Sequence, residues 1–482
     1  MNNRALLQQL EEKLKTGHTK EVLIHLNQIN IVQLSREERL PLAELARRAG
    51  APELAIKFLI KIIYPASSKV FFTPSPDEYL SYASSLRALG FLKEAREVLE
   101  NVAENTHPAV LLQRALLLFS EWKYIESIRL LKRFIKSKNI SDYQKVIGEV
   151  NLLSAYISSE NYQKALTLGE DLLRKTKENS YYLLHGNCLE LISQYYIFTQ
   201  QYSKAKEYLN KAEFVLKDFT GIYYYYVKKW QIVLMLLTNE KPSDFESQFL
   251  SLKNIAKNKN FSEIVRDLDF FKALNEQNET QLINILAGTP IPSYLHRAQI
   301  LLKRKISIPN KILLNISINN FFDYNTRAFL SKPLLRKLIW LLSKDFYKSI
   351  SVGQAFSVLY PGEYFNPETS IKRVDNLIYR LNSYFKKNHP TLFIVRKQFS
   401  YKFNSHEQVV IYRRLSSNSD LALSLFKKNF TMSFFSRYDL QKILDISNSS
   451  AKRVVRSALE RKKIKAICSG SRQRYVFSNF RS

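Results

Sequence analysis

The feature that most constrains the fold is a turn followed by a small or compact residue, which recurs through the first 205 residues. Successive copies lie 33, 40, 32, 38 and 40 residues apart. A small side chain at a fixed place lets two helices approach closely, and a period of this length indicates stacked helix pairs. The copies are GHTKEV ending at Val22, GAPELA at Ala55, GFLKEA at Ala95, KYIES at Ser127, NYQKA at Ala165 and QYSKA at Ala205.

In the last three copies a tyrosine precedes the small residue by three positions, at Tyr124, Tyr162 and Tyr202. This Y-x-x-A arrangement resembles tetratricopeptide-type repeats, at the degenerate, roughly 40-residue end of that family. The resemblance implies an α-solenoid over residues 1–300, with a concave face for a protein, peptide or small ligand. An irregular all-α bundle is the alternative. The aromatic stretch GIYYYYVKKW, residues 221–230, either packs in a core or lines such a face.

Positive charge is concentrated towards the C-terminal end of the chain. Residues 327–482 contain 30 Lys and Arg against 9 Asp and Glu, a net +21. Residues 1–326 contain 43 against 34, a net +9. A basic segment joined to a nearly balanced one predicts a polyanionic partner for the basic segment. Nucleic acid fits better than a membrane surface, since no strongly apolar interfacial helix accompanies the charge.

Composition favours a mainly α chain in a reducing compartment. Only 11 glycines and 14 prolines among 482 residues argue against a β-rich or disordered architecture. The two cysteines, Cys188 and Cys468, lie far apart and suggest neither a ligand set nor a disulfide framework. The start, MNNRALLQQLEEKLKTG, has no signal-peptide core, and no apolar run reaches 18 residues. We therefore expect a cytoplasmic protein without a membrane partner.

The stretch NPETSIKRVDNLIYRLNSYFKK, residues 366–387, predicts an amphipathic helix with Asn366 as N-cap and Pro367 in its first turn. A solvated face is the ordinary interpretation of its charge, and contact with phosphates and base edges is the functional one. The apolar face consists of Ile371, Val374, Ile378, Leu381 and Phe385. The opposite face consists of Thr369, Lys372, Arg373, Asn376, Arg380, Ser383 and Lys387.

The neighbouring segments give this helix the context of a winged helix-turn-helix domain. Two further helices are predicted at about 332–343 and 351–362, and two strands around a tip at 391–403. The residues before the first of these helices, ILLNISINNFFDYNTRAF, are strand-like. In a domain of three helices and a terminal hairpin, the third helix can enter the major groove of DNA.

This order resembles the OmpR/PhoB-type effector domain of bacterial transcriptional regulators, over about residues 312–405. The recognition helix of that family reads like V-D-x-x-I-x-R-L, which is matched here at Val374, Asp375, Ile378, Arg380 and Leu381. Tyr360 matches the aromatic residue that ends the family's second helix. The resemblance implies that Lys372, Asn376 and Arg380 face DNA and that Arg396 and Lys397 lie on the wing. Family wings usually have two glycines near the tip, where this chain has Gln398 and Ser400.

A second winged helix-turn-helix domain is predicted over residues 417–482. It has a short helix at 438–444 with Ser436 as N-cap, a helix at 449–461, and strands at 464–468 and 474–477 joined by SGSR. The stretch ISNSSAKR is similar to the I-S-x-S-T-A-x-R that opens the reading helix of the generic bacterial domain. Its candidate DNA contacts are Ser449, Ser450, Lys452, Arg453 and Arg456 on the helix and Arg472 on the wing.

No pattern in the sequence indicates catalysis. The seven histidines form no metal-ligand pair, and no P-loop, nucleotide fingerprint or nucleophile elbow is present. We therefore expect no enzymatic activity, no cofactor and no metal.

The most consistent interpretation is a regulator of transcription that binds double-stranded DNA through its winged helices and receives an input through its repeats. A scaffold similar to PCI-type subunits, in which both parts bind protein, is one alternative. An RNA-binding adaptor is another. The sequence leaves the oligomeric state open.

Overall fold

A computed structural model describes residues 3–15, 19–65, 73–217, 222–259, 261–289, 291–305, 311–314, 321–322, 329, 331–343, 345, 347–363, 365–366, 369–397, 400–405, 409–412, 418–430, 434–467 and 473–478. This part of the chain is mainly helical, which confirms the predicted class. None of its helices combines the length and the apolar character that crossing a bilayer requires.

The chain divides into two compact units. The first comprises residues 1–285, 291–306 and 351–357, and the second comprises 286–290, 307–350 and 358–482. The helices up to residue 305 are α1 (Asn3–Lys15), α2 (Thr19–Gln28), a 3-10 turn (Ile31–Gln33), α3 (Arg36–Arg48), α4 (Pro52–Ile63), α5 (Pro76–Ala88), α6 (Leu92–Leu99), α7 (Ala109–Ser120), α8 (Tyr124–Ile135), α9 (Asp142–Ser158), α10 (Tyr162–Glu178), α11 (Tyr182–Phe198), α12 (Tyr202–Leu216), α13 (Ile222–Thr238), α14 (Phe245–Asn258), α15 (Ser262–Asn275), α16 (Glu279–Ala287) and α17 (Pro292–Leu301).

These helices pack in sequence order. From α3 to α13, each helix contacts the next one along the chain. Several odd-numbered helices additionally contact the next odd-numbered helix, as α9 does with α11, α11 with α13 and α13 with α15. The arrangement is that of helix pairs laid one after another, as the recurring sequence pattern predicts.

One backbone conformation recurs at the turns within these pairs. The residue two positions before α4, α6, α8, α10 and α12 has a positive φ, between 60° and 85°. Such a residue ends a helix by letting the next amides bond back to its last carbonyls. At the turn before α10, for example, the Asn161 amide donates to the Tyr156 carbonyl at 2.8 Å. The five positions are Gly50, Gly90, Trp122, Glu160 and Gln200.

The small residue of the sequence pattern follows each of these turns by five positions and is fully buried. Its exposed fraction is at most 1% in all five copies. The fourth residue of the helix that follows the turn is therefore buried each time. A small side chain at this position lets the two helices approach closely. This confirms the role predicted for Ala55, Ala95, Ser127, Ala165 and Ala205.

Replacement of Ala205 by leucine should destabilise the first unit. Ala205 is 0% exposed, so added methylenes force neighbouring side chains from their preferred rotamers at a cost of about 1–3 kcal/mol. Ser203→Leu is the matched control, because Ser203 is exposed on the same helix. Thermal denaturation followed by circular dichroism should show a lower Tm for Ala205→Leu alone. Equal effects of the two substitutions would contradict close packing at Ala205.

The remaining elements form three small sheets and six helices in the described residues. The first sheet has the strand order β1-β6-β2, in which β6 pairs antiparallel with β1 and parallel with β2. The second has the order β3-β5-β4, and the third pairs β7 with β8. The elements are β1 (Lys311–Leu314), β2 (Phe321–Phe322), α18 (Pro333–Leu342), β3 (Ile350–Ser351), α19 (Val352–Leu359), α20 (Ser370–Asn388), β4 (Leu392–Lys397), β5 (Ser400–Ser405), β6 (Val409–Tyr412), α21 (Asn418–Asn429), α22 (Arg437–Leu444), α23 (Asn448–Glu460), β7 (Ile464–Ala466) and β8 (Tyr475–Phe477).

Residues 434–478 and α21 surround a core of their own. It is built around aromatic rings, with Phe426 4.8 Å from Phe435 and Phe435 5.2 Å from Phe477 between ring centroids. Ser436 caps α22 as predicted, since its hydroxyl accepts from the Asp439 amide and Asp439 accepts from the Ser436 amide in return. The predicted apolar side of α23 is buried at Ala451, Val454, Val455 and Ala458, with Leu459 partly buried.

Candidate nucleic-acid interface

The apolar side of α20 forms part of the core of the second unit. Val374, Leu381 and Phe385 are 0% exposed, and Leu377 and Ile378 are almost as deeply buried. Ile371, which the sequence also places on this side, is half-buried. The helix contacts α18 and β4, so its orientation is fixed by packing and its opposite side faces outward.

The start of α20 differs from the prediction. The helix begins at Ser370, three residues later than the predicted start, and Pro367 lies outside the described residues. Asn366 nevertheless forms the predicted N-cap hydrogen bonds, since its side chain accepts from the Thr369 amide at 3.3 Å and its carbonyl accepts from the Ser370 amide at 2.8 Å. The Ser370 hydroxyl accepts from the Asn366 amide at 2.9 Å, so the two residues close a local turn. Thr369 consequently precedes the helix and is exposed there.

Five of the predicted contact residues share the outer face of α20. All five are exposed and recur at spacings of three and four residues, which places them on one side of the helix. They combine two ammonium groups, a guanidinium, an amide and a hydroxyl, which are the groups that contact phosphates and base edges. They are Lys372, Asn376, Arg380, Ser383 and Lys387.

Tyr379 belongs to this face, although the sequence analysis did not assign it there. Its side chain is 74% exposed, and it lies between Asn376 and Ser383 on the helix surface. An exposed tyrosine offers both a hydroxyl for hydrogen bonding and a flat apolar ring for contact with sugar or base. The sequence could have shown this, because residues three positions apart lie on the same side of a helix and Tyr379 follows Asn376 by three.

Arg373 has partners within the protein. Its guanidinium lies 3.8 Å from the centroid of the Tyr360 ring and donates to both carboxylate oxygens of Glu363, at 3.2 Å for one of them. These hydrogen bonds lower the pKa of Glu363. Arg373 therefore anchors the segment that follows α19 to the start of α20, and the DNA contact expected from the sequence stays a prediction.

The hairpin of β4 and β5 is attached to α20 through Asp375. The Tyr401 hydroxyl donates to the Asp375 carboxylate, and Arg396 lies 3.3 Å from its other oxygen. Tyr401 is 0% exposed, and burial together with this hydrogen bond raises the pKa of Tyr401. Arg396 is held beside the helix by this ion pair, whereas Lys397 at the end of β4 is exposed.

A second connection between helix and hairpin comes from Asn382. Its amide donates to the Ile394 carbonyl at 3.0 Å and accepts from the Ile394 amide at 2.8 Å. One side chain thus satisfies both backbone groups of a residue in β4. At the hairpin tip, the Ser400 hydroxyl donates to the Lys397 carbonyl at 3.0 Å, and Gln398 lies outside the described residues.

Compared with α20, the outer face of α23 has fewer predicted contact residues that lack partners on the helix itself. Ser449, Lys452, Arg453 and Arg456 are exposed, and Ser450 is half-buried. Arg456 lies 3.1 Å from Glu460, and Arg453 donates to the Ser450 hydroxyl at 3.3 Å. The N-cap of α23 is Ser447, whose hydroxyl accepts from the Ser450 amide. Arg472, predicted for the wing, lies outside the described residues.

Comparison of the chain with protein-family models gives no match, and no curated protein matches it in sequence. The resemblances to OmpR/PhoB-type and generic winged helix-turn-helix domains and to tetratricopeptide-type repeats therefore rest on the residues and geometry given above.

Truncation of two residues on opposite sides of α20 should change the stability of the protein by very different amounts. Ile378→Ala leaves a cavity in the core, at a cost of about 2–5 kcal/mol. Arg380→Ala removes an exposed side chain and should change stability by about 0.5 kcal/mol or less. Thermal denaturation of the full chain measures both. A Tm loss as large for Arg380→Ala as for Ile378→Ala would show that the outward face has been misassigned.

Asn382→Ala should loosen the hairpin from α20. The substitution leaves the amide and carbonyl of Ile394 without their side-chain partner, at a cost of about 1–3 kcal/mol. Ser383→Ala is the matched control, since it truncates the adjacent, exposed residue. Hydrogen exchange read by mass spectrometry should accelerate in β4 and β5 for Asn382→Ala and stay unchanged for the control. Unchanged exchange in both variants would refute this role of Asn382.

Proposed function

We propose that this protein binds double-stranded DNA and regulates transcription, with α20 as its main reading helix. In this proposal α18, α19, α20 and the β4–β5 hairpin form a winged helix-turn-helix domain, although residues 351–357, which include most of α19, belong to the first of the two compact units. The elements α21 to β8 form a second one. The helix pairs of the first unit form an α-solenoid that supplies the regulatory input.

The outer face of α20 is the observation that carries the proposal. Its five exposed polar and basic residues lie on a helix whose other side is packed into a core. The acidic side chains close to it have basic partners of their own, Glu363 in Arg373 and Asp375 in Arg396. The face is therefore left with an excess of positive charge, as a surface that approaches phosphates requires.

The attachment of the hairpin supports the same function. A reading helix contacts base edges only when its depth and angle in the groove are fixed by surrounding contacts to the DNA backbone. Asp375 and Asn382 couple α20 to β4 and β5 through hydrogen bonds, which hold the hairpin in one position against the helix. This preorganisation favours specific over loosely electrostatic binding.

The helix pairs of the first unit support the division of labour. Residues 1–326 have a net charge of only +9, against +21 for residues 327–482, so the attraction to polyanions comes chiefly from the C-terminal part. Stacked helix pairs offer an extended surface for a protein, peptide or small-molecule partner.

Binding of the full chain to duplex DNA should depend steeply on salt. Each phosphate that a lysine or arginine neutralises contributes a slope of about −0.9 to log K against log salt concentration. Fluorescence anisotropy with a labelled duplex, at several salt concentrations, measures this slope. Absence of binding at low salt, or binding that ignores salt, would overturn the proposal. A duplex selected from a random library, compared with its scrambled version, measures the specificity.

Two substitutions on α20 distinguish base-specific contacts from electrostatic attraction to the phosphates. Arg380→Ala should reduce the preference for the selected duplex by about 1–3 kcal/mol if Arg380 contacts a base. Lys372→Ala should weaken both duplexes alike and reduce the salt slope by about 1. Lys164→Ala, which removes an equally exposed charge from α10, is the control and should alter neither quantity. If Lys164→Ala had the same effect as Lys372→Ala, binding would be diffuse rather than directed by α20.

A further inference from the structure

A cavity of about 220 Å³ lies within the first unit. Its walls come mainly from the odd-numbered helices α7, α9, α11, α13, α15 and α17, with Tyr124 at the start of α8 completing them. Because these are the first helices of successive pairs, the cavity belongs to one continuous face of the array. Its volume lies just below the range of about 300–1,000 Å³ that is usual for drug-sized ligands, so only a small ligand fits.

Two carboxyl groups in the cavity wall lack a countercharge at ion-pair distance. Glu190 on α11 is 2% exposed and accepts a hydrogen bond from the Gln194 amide at 2.7 Å. Glu263 on α15 faces the same space. In the part of the chain that the structure describes, neither has a Lys, Arg or His nitrogen within 4.0 Å. A buried carboxylate without a partner is costly, so this pair points to a missing positive group.

The nearest lysine is committed to another carboxylate. Lys229 on α13 is 1% exposed and lies 2.8 Å from Asp267 of α15. Asp267 also accepts from the Tyr294 hydroxyl at 3.1 Å. Because Lys229 pairs with Asp267, it attracts Glu190 and Glu263 only from a longer distance. This attraction lowers the pKa values of the two carboxyl groups, whereas burial raises them.

The two arginines near the cavity lie against aromatic rings. The Arg297 guanidinium is 4.5 Å from the centroid of the Phe198 ring. The Arg266 guanidinium lies 5.9 Å from the Trp122 ring and 5.7 Å from the Tyr294 ring. They attract Glu263 from a distance, yet burial dominates and raises the pKa of Glu263. Burial likewise raises the pKa of Glu190 to about 7.

Aromatic side chains complete the surroundings of the two carboxyl groups. Tyr223, Tyr226 and Trp230, all on α13, line the cavity, and Tyr223 and Tyr226 both lie within the electrostatic reach of Glu190. Ring faces attract organic cations, and more strongly where water is excluded. The indole N–H of Trp230, which is 2% exposed, interacts with the Glu190 carboxyl group and lowers its pKa, although the contact falls short of good hydrogen-bond geometry.

We infer that this cavity binds a small organic amine, with its ammonium group between the carboxyl groups of Glu190 and Glu263. The apolar stem of the ligand then packs against Tyr223, Tyr226 and Trp230. The site is independent of DNA binding, and its test contains no DNA, so failure of either proposal leaves the other standing.

Binding should release a proton in the neutral range. In the free protein at pH 6, Glu190 is largely protonated because burial raises its pKa, and an ammonium group binds better to the ionised form. The bound cation lowers the pKa of Glu190, so affinity should rise with pH up to about 7 and then level off. A pKa of about 7 corresponds to binding about tenfold weaker at pH 6 than at pH 8.

The experiment uses the full chain and three probes of nearly equal size and shape. Isothermal titration calorimetry compares 2-phenylethylamine, 2-phenylethanol and phenylacetate, which are cationic, neutral and anionic. The amine should bind at least about tenfold more tightly than the other two, with the pH dependence given above. Equal binding of the amine and the alcohol, or no binding of the amine, would overturn the inference.

Substitutions identify the carboxyl groups responsible. Glu263→Gln and Glu190→Gln should each weaken amine binding about tenfold or more, and Glu190→Gln should also reduce the pH dependence between pH 6 and 8. Glu170→Gln, at an exposed position of α10, is the matched control and should bind as the unaltered chain does. Amine affinity unaffected by both cavity substitutions would place the amine elsewhere and refute the site. The pH profile of the unaltered chain decides the matter if either variant fails to fold.

Discussion

The first unit depends on close approach of helices at one small, fully buried residue in each of five turns. A residue of positive φ ends one helix, the next helix begins two positions later, and the small residue enters the interior three positions after that. Because the spacing is constant, successive pairs repeat one geometry. The same repetition assembles a continuous wall from the odd-numbered helices, and the cavity with Glu190 and Glu263 lies in that wall.

The helices of the repeats could be predicted because their signals are local. The small residues and the turns lie within a few positions of one another, and their burial follows from helical periodicity. The cavity could not be predicted in this way. Glu190 and Glu263 lie 73 positions apart, and nothing in the residues around either one indicates that the other faces it. The stretch GIYYYYVKKW illustrates the limit, since one helix both buries Val227 in the core and directs Tyr223, Tyr226 and Trp230 to the cavity.

The outer face of α20 was predictable because an amphipathic helix reveals its faces through residue type alone. The exceptions have physical causes. Tyr379 was missed because aromatic residues are usually buried, and its hydropathy conceals its exposure. The roles of Arg373 and Asn382 depend on partners brought close by tertiary structure, Tyr360 with Glu363 for one and the backbone of Ile394 for the other.

The turn between α7 and α8 carries the bulkiest of the three non-glycine residues that adopt the left-handed conformation in the five turns. Gly50 and Gly90 adopt a positive φ without strain, whereas Trp122, at a φ of 61°, incurs about 1–2 kcal/mol because of its Cβ atom. Its indole forms part of the cavity wall and lies over the Arg266 guanidinium. Glycine at this position would relax the backbone and remove the wall together. Glycine would also lose the edge contact between the Trp122 and Tyr124 rings, whose centroids are 5.9 Å apart, so the packing of the indole offsets the backbone strain at this residue.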